Sequence, residues 1–479
     1  MTRNDKTVDR RNVLKSLGAA GLVGLAGCGG DGGDGGSDGG DGGSGGDGGS
    51  GGSGGSDGGD GGSDGGDGGD DYPSIGNFPP EGDTAIFGFN VPTSGPYASE
   101  GEDELRAYEM AVDHLNNGGG WVDSQFDNLS GDGVLGYQID YVSGDTATDA
   151  DTARQSASRM IQRDNVLMVS GGSSSAVAIA VQGLCQQEKV QFMCCLTHSN
   201  DTTGKDCVRY SFREMFNAYM TGQALAPVVR DEYGEDLEFY QLYADYSWGQ
   251  TQQASMNQFF TDVANWTEVD SVATPLGTSD YQSYLSEAAN SGADVLVLNH
   301  YGLDGARSLG QAFDAGIKED MEIVLPLYNR PMANAVDAEA MEGVFGTVAW
   351  DPQIENTPSQ QFTQTFRDEY DRYPSGPAQL AYASTLMYAS AAERAGTFYP
   401  PEVIKQLEGY EYDNIGMGPE TMRACDHQSQ RAVPVVRGLG PDEQSEGQLY
   451  NIVNLTSRED LGYACDAGPA SECELGSYE

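Results

Sequence analysis

Basic side chains are scarce in this sequence. Its 479 residues carry 25 Lys+Arg against 74 Asp+Glu, a formal net charge of −49. That scarcity excludes a nucleic-acid-binding surface, which needs clustered cations, and disfavours adsorption to an anionic membrane. Eleven of the acids lie between Asp31 and Asp71; the remainder still outnumber the bases more than twofold, so the excess belongs to the folded body as well. It reads as adaptation to a high-salt medium of the haloarchaeal kind, where salt screens the self-repulsion. Histidine occurs four times and no CxxC spacing or HExxH motif exists, so neither a metal nor another cofactor is implied. No Ser-His-Asp order stands out, and "GGSSSA" (residues 171–176) has neither the lysine of a phosphate loop nor a GxGxxG pattern. An enzyme is therefore not expected.

The long apolar run of a membrane span is missing too: Leu14 to Ala26 is too short. With Arg10 and Arg11 before it and "LAGC" after it, residues 1–28 read as a twin-arginine export leader ending in a lipobox, with Cys28 as the lipidated first residue of the mature chain. Residues 29–82 read as a tether. As far as residue 71 they repeat Gly-Gly-Asp or Gly-Gly-Ser without proline, which can bury no core. The flexible coil should reach roughly 35–40 Å.

From Asp83 the texture changes. "TAIFGFNVP" is an apolar strand; "ASEGEDELRAYEMAVDHLNN" then places Leu105, Tyr108, Ala111, Val112 and Leu115 at helical spacing. Strand and helix alternate to "VQFMCCLT", and a second alternating set runs from "FNAYMTGQALAPVVRDEYG" to "VFGTVAW". Residues 358–396 carry two long helices, and "RAVPVVRGLG" with "GQLYNIVNL" forms a β pair. The expected fold class is α/β, with two doubly wound Rossmann-like lobes.

The order of "IFGFNVPTSGPYASEGEDELRAYEMAVDHLN", "GDTATDADTARQSASRMI", "GGSSSAVAIA", "YADYSWGQ", "LGQAFDAGI" and "AQLAYASTLMYASAAERAGT" resembles the leucine/isoleucine/valine-binding family of type I periplasmic binding proteins over about residues 83–455. The resemblance implies two lobes joined by three crossings around a ligand cleft. Lobe 1 would be 83–213 and 350–422, lobe 2 would be 214–349 and 423–456, and 457–479 a C-terminal tail. It also implies an exported receptor, monomeric and anchored only through lipid at Cys28 on the outer face of the membrane. Such a receptor hands a small polar solute to the permease and ATPase subunits of an ABC importer. Branched-chain amino acids, urea or short amides, and organic or aromatic acids are all open as solutes. A ligand-sensing receptor domain is a rival with the same cleft.

Ser173 and Ser174 stand where the third strand gives way to a helix, so hydroxyl and free amides can receive a carboxylate or carbonyl oxygen. The resemblance adds Thr197 as carboxylate partner, with His198 beside it a weak candidate. It puts Glu100 where relatives hold an aromatic, with Tyr97 as its substitute, and sets Trp248, with Tyr246 close by, and Tyr301 on aromatic positions of the second lobe. Relatives that bind amino acids use a glutamate where Tyr328 and Asn329 fall; Asp304 or Glu100 could replace it, and Arg330 would favour an acid.

Seven cysteines follow Cys28. An exported chain can keep disulfides; Cys194 or Cys195 with Cys207, and Cys465 with Cys473, would close short loops. Cys185 and Cys425 are unassigned, and the odd number leaves a free thiol. Asn128, Asn200, Asn265 and Asn454 begin N-x-S/T sequons.

Overall fold

The structure is a computed structural model and describes residues 72–478. The leader, Cys28 and the tract as far as residue 71 lie outside the described residues. The last stretch counted with the tether is not free coil. Tyr72 stacks on Tyr399 with ring centroids 4.5 Å apart, and Asn77 Nδ2 donates to the carbonyls of Ile161 and Val166. Aromatic area and a bidentate amide hold this stretch to the body, which glycine and aspartate could not do.

The first sheet contains β1 (Thr84–Val91), β2 (Gln138–Asp145), β3 (Met168–Gly171), β4 (Gln191–Cys194) and β5 (Ser211–Arg213). All pair parallel in the order β2-β1-β3-β4-β5. β1 lies inside the sheet and is buried on both faces from Phe87 to Val91, hence its mostly apolar run; β2, at the edge, is half exposed. Helices α1 (Ala98–Asn117), α2 (Ala150–Asp164) and α3 (Ser175–Glu188) make the crossovers.

The second sheet contains β6 (Glu238–Ala244), β7 (Thr267–Thr274), β8 (Val295–Asn299), β9 (Glu322–Tyr328) and β10 (Phe345–Val348), all parallel. Around it lie α4 (Ala218–Tyr233), α5 (Ser247–Ala264), α6 (Gln282–Ala289), α7 (Gly302–Asp314), α8 (Arg330–Asn334) and α9 (Ala338–Met341). The chain then adds α10 (Thr357–Tyr370), α11 (Gly376–Ala395) and α12 (Pro400–Leu407). α11 lies along α1 and is buried all round from Gly376 to Ala392, which its small residues permit. A small antiparallel sheet of β11 (Glu411–Tyr412), β12 (Glu420–Met422) and β13 (Ser429–Gln430) follows. Last, β14 (Val433–Gly438) and β15 (Tyr450–Thr456) join the second sheet antiparallel, giving the order β15-β14-β10-β9-β8-β6-β7.

The chain thus passes between the sheets three times: after β5, after β10 and before β14. One buried guanidinium holds all three passages. Arg431, in the third, donates to the carbonyl of Glu214 in the first (3.3 Å) and to that of Ala349 in the second (2.8 Å). The Glu214 and Glu420 carboxyls, both buried, lie 3.5 and 3.7 Å from it.

The cysteine pairing differs from the sequence expectation. Cys207 is bonded to Cys473, 266 residues away, and Cys425 to Cys465. Cys185, Cys194 and Cys195 are buried free thiols. Cys194 sits at the end of β4 against Ser211, so its side chain packs inside the lobe and cannot reach a loop partner. The disulfides instead bind the tail: Tyr210 donates to the carbonyl of Tyr478 (2.6 Å), and Tyr478 donates to Glu408.

Candidate functional site

Four helices begin at one cavity between the two sheets. Tyr97, Ser174, Tyr246 and Tyr301 are the N-cap residues of α1, α3, α5 and α7, and all four line it, together with Ser175, Leu196, His198, Trp248 and Leu327. Each follows the carboxyl end of a parallel strand, where α/β sheets place their crevices. None of the four caps its helix through its side chain. By contrast Asp149, Asn217, Asn329, Asn356 and Ser375 cap α2, α4, α8, α10 and α11. The other uncapped starts, α6, α9 and α12, do not line the cavity. Tyrosine is a poor cap, so the first amides of α1, α5 and α7 keep their positive ends.

Backbone strain concentrates at α3. Gly171, Gly172 and Ser174 have φ of 126°, 83° and 130°. A Cβ on Gly171 would stand 2.2 Å from the Asn90 carbonyl oxygen, so only glycine lets the turn pass this close to β1. Ser174 has no such excuse, and a non-glycine residue held there is strained. Its Oγ is buried and has no hydrogen-bond partner among the described residues; the same is true of Trp248 Nε1 across the cavity.

The two lobes touch here. The Tyr97 and Tyr246 hydroxyls are 2.7 Å apart, the Tyr97 and Tyr301 rings meet edge to face at 5.5 Å, and Asn329 Nδ2 donates to Glu100 Oε1 (2.8 Å). The cavity measures about 20 Å³, room for about one water. Any larger guest must enter with the lobes apart.

Carboxyl groups surround the cleft without lining it. Burial raises Glu100 to about 7 and Glu104 to about 8, although Asn329 and Ser173 respectively donate to them and pull the other way. Burial also raises Asp304 to about 6 against the hydrogen bond from the Gly277 amide. His198 is pushed down to about 3, by burial first and then by Arg213, so it is a neutral ring at pH 7; its Nε2 is 2.8 Å from Thr221 Oγ1.

Of the residues singled out from the sequence, Tyr97, Ser174, Tyr246, Trp248 and Tyr301 meet at the cavity, and so does the weaker candidate His198. Four others stand behind its wall. Ser173 donates to Glu104 Oε1; Glu100 and Asn329 bond each other; Thr197 donates to Ser175 Oγ (3.1 Å) and approaches Thr202 Oγ1 (3.2 Å). Asp304 caps the 277 turn, and Arg330 donates to the carbonyls of Glu446 and Gly447. Ser175, Leu196 and Leu327 were not foreseen. Ser175 Oγ accepts from Thr197 Oγ1 and from the amides of His198 and Ser199, so it shapes the loop after β4. Its position as first helical residue after a glycine turn was the available signal. Among the described residues no cluster of His, Cys, Asp and Glu could hold a metal, and no helix is long and apolar enough to cross a membrane.

A family model described as "periplasmic binding protein" matches residues 86–442. A Leu/Ile/Val-binding protein homolog of Brucella abortus is 26% identical over 346 residues, covering 68% of this chain and 80% of its own. A periplasmic binding protein from Burkholderia mallei superposes with TM-score 0.74 at 22% identity, over 82% of this chain and 100% of that one. A solute-binding protein of an ABC transporter from Rhodopseudomonas palustris, in complex with 3,4-dihydroxybenzoic acid, gives 0.66 at 19% identity, over 78% and 97%.

Proposed function

Because this chain belongs to the periplasmic binding protein family, we propose that it is the lipid-anchored receptor of an ABC importer and that it takes an amino acid of the branched-chain kind, or a related compound, into the interlobe cavity. Members of the family are non-enzymatic receptors that carry small solutes to a permease. The observation that carries the ligand reading is the set of unpartnered buried atoms, Ser174 Oγ, His198 Nδ1, Trp248 Nε1 and Tyr301 Oη, at a cavity where four uncapped helices begin. Buried polar atoms normally have partners. A solute carboxylate against Ser174 and the first amides of α3 would supply one. The Tyr97, Tyr301 and Trp248 rings offer cover for an apolar side chain, and Glu100, behind the wall, could meet an ammonium group only if ionised and released from Asn329. The Brucella relative's name points the same way. On this reading the protein is a monomer at the outer face of the membrane, working in high salt.

A second reading is an aromatic or aliphatic acid. Glu100 is already engaged by Asn329, and no ionised carboxylate lines the cavity. The dihydroxybenzoic acid bound by the Rhodopseudomonas protein is of that class.

A thermal-shift screen in molar salt separates the readings, with amino acids, urea, amides and aromatic acids each supplied well above their Kd. A true ligand at a hundred times its Kd adds about 2.7 kcal/mol, a rise of a few degrees. A rise with leucine or its kin supports the first reading; a rise with benzoates alone selects the second. No rise with any class would sink the receptor assignment, and turnover of the solute would make the protein an enzyme.

A further inference from the structure

We propose that Asn454 is N-glycosylated after export and that its glycan covers the open edge of β15. Of the four sequons, three have asparagine amides committed to the fold. Asn128 Nδ2 donates to the Ser390 carbonyl (2.9 Å) while its Oδ1 accepts from Ser390 Oγ. Asn200 Nδ2 donates to Ser255 Oγ, its Oδ1 accepts from the Tyr219 amide, and its Thr202 is buried. Asn265 closes α5 in the left-handed conformation with Nδ2 donating to Asp236, and Trp266 after it is buried. Asn454 differs: it is exposed, and its Nδ2 donates to Thr456 Oγ1 (2.9 Å), the hydroxyl of its own sequon.

The surroundings give the modification a purpose. β15 is the outermost strand of its sheet, and Val453 and Leu455 on either side of Asn454 are 46% and 48% exposed. An apolar edge strand invites pairing with another chain. A glycan on Asn454, within that exposed stretch of the strand, would block it. The cavity residues lie after β1, β3, β4, β6, β8 and at the end of β9, so the sugar stays clear of the cleft. In the transfer, Asn454 Nδ2 bonds to the anomeric carbon of a sugar carried on a polyprenyl phosphate. The bond from that carbon to the carrier's phosphate oxygen breaks, the phosphate leaves with the electron pair, and the amide gives up one proton to a base of the transferase.

The inference shares with the functional reading only the export of the chain. Glycopeptide mass spectrometry on full-length protein from its native membranes tests it. A sugar mass is expected on the Asn454 peptide and none on those of Asn128, Asn200 and Asn265. Asn454→Gln and Thr456→Ala should remove that mass, Thr456→Ser should keep it, and Asn454→Gln should raise self-association measured by light scattering at least severalfold. A bare Asn454 in the wild-type protein overturns the proposal. So does a glycosylated wild-type protein whose Asn454→Gln variant self-associates no more than it does. Solute binding measured on the same sample keeps either failure separate from failure of the receptor reading.

Discussion

The hydroxyls of Tyr97 and Tyr246, 2.7 Å apart, join the N-cap of α1 to the N-cap of α5 across the cleft. A side chain that would ordinarily do nothing for its helix thus ties one lobe to the other. Removing one hydroxyl leaves its buried partner unsatisfied in the closed form only. Tyr97→Phe should therefore weaken solute binding by about 1–3 kcal/mol, roughly 5- to 150-fold, with little change in the Tm of the solute-free protein. Titration calorimetry checks it, and Tyr97→Phe with Tyr246→Phe should recover part of the loss because neither hydroxyl is then stranded.

Ser174→Ala should move stability and affinity in opposite directions. Ser174 Oγ has no partner among the described residues, so deleting it removes a buried unsatisfied group. The solute-free protein should be equally stable or more so, by up to about 1 kcal/mol, while affinity falls about tenfold. A parallel drop in both would show that the hydroxyl serves the fold and not the solute.

The buried carboxyls set a pH dependence. Glu100 at about 7 and Glu104 at about 8 hold protons more tightly in the folded protein than in the unfolded chain. Their protonation favours the folded state, so the contribution is complete below about pH 4.5 and is lost as pH rises through 7 and 8. The Tm in constant salt should decline between pH 5 and pH 8. Glu104→Gln, whose amide oxygen can still accept from Ser173, should flatten that decline, corresponding to a few kcal/mol across the range. A Tm profile as steep as wild type would refute the assignment.

Reduction should act through the tail. Cys207–Cys473 and Cys425–Cys465 both end in residues 465–473. Breaking them should cost about 2–4 kcal/mol each, read as a lower Tm in reductant. Cys473→Ser should keep part of that sensitivity, and Cys425→Ser with Cys473→Ser should abolish it.

The alternation of strands and helices was legible because each half has its own period, apolar runs for the central strands and 3.6-residue spacing for α1. β5, with three residues, and the small β11–β13 sheet were not: strands that short have no period to read. The disulfides were misjudged because spacing along the chain says nothing about partners 266 residues apart. In the site, the residues at strand ends were visible as tyrosines and serines in loops. Whether such a residue faces the cavity or stands behind it was not. Thr197 and Ser175 are hydroxyls after neighbouring strands and bond each other, yet only Ser175 lines the cavity.

Arg431 carries a mechanical implication. Its rigid planar group contacts both other passages between the lobes, so relative sliding of the lobes would break buried charge-assisted bonds, whereas turning about that point need not. A motion that admits a solute would then be a turning of one lobe about that point, read as an opening angle. A membrane partner that measures that angle learns whether the cleft is filled without touching what fills it.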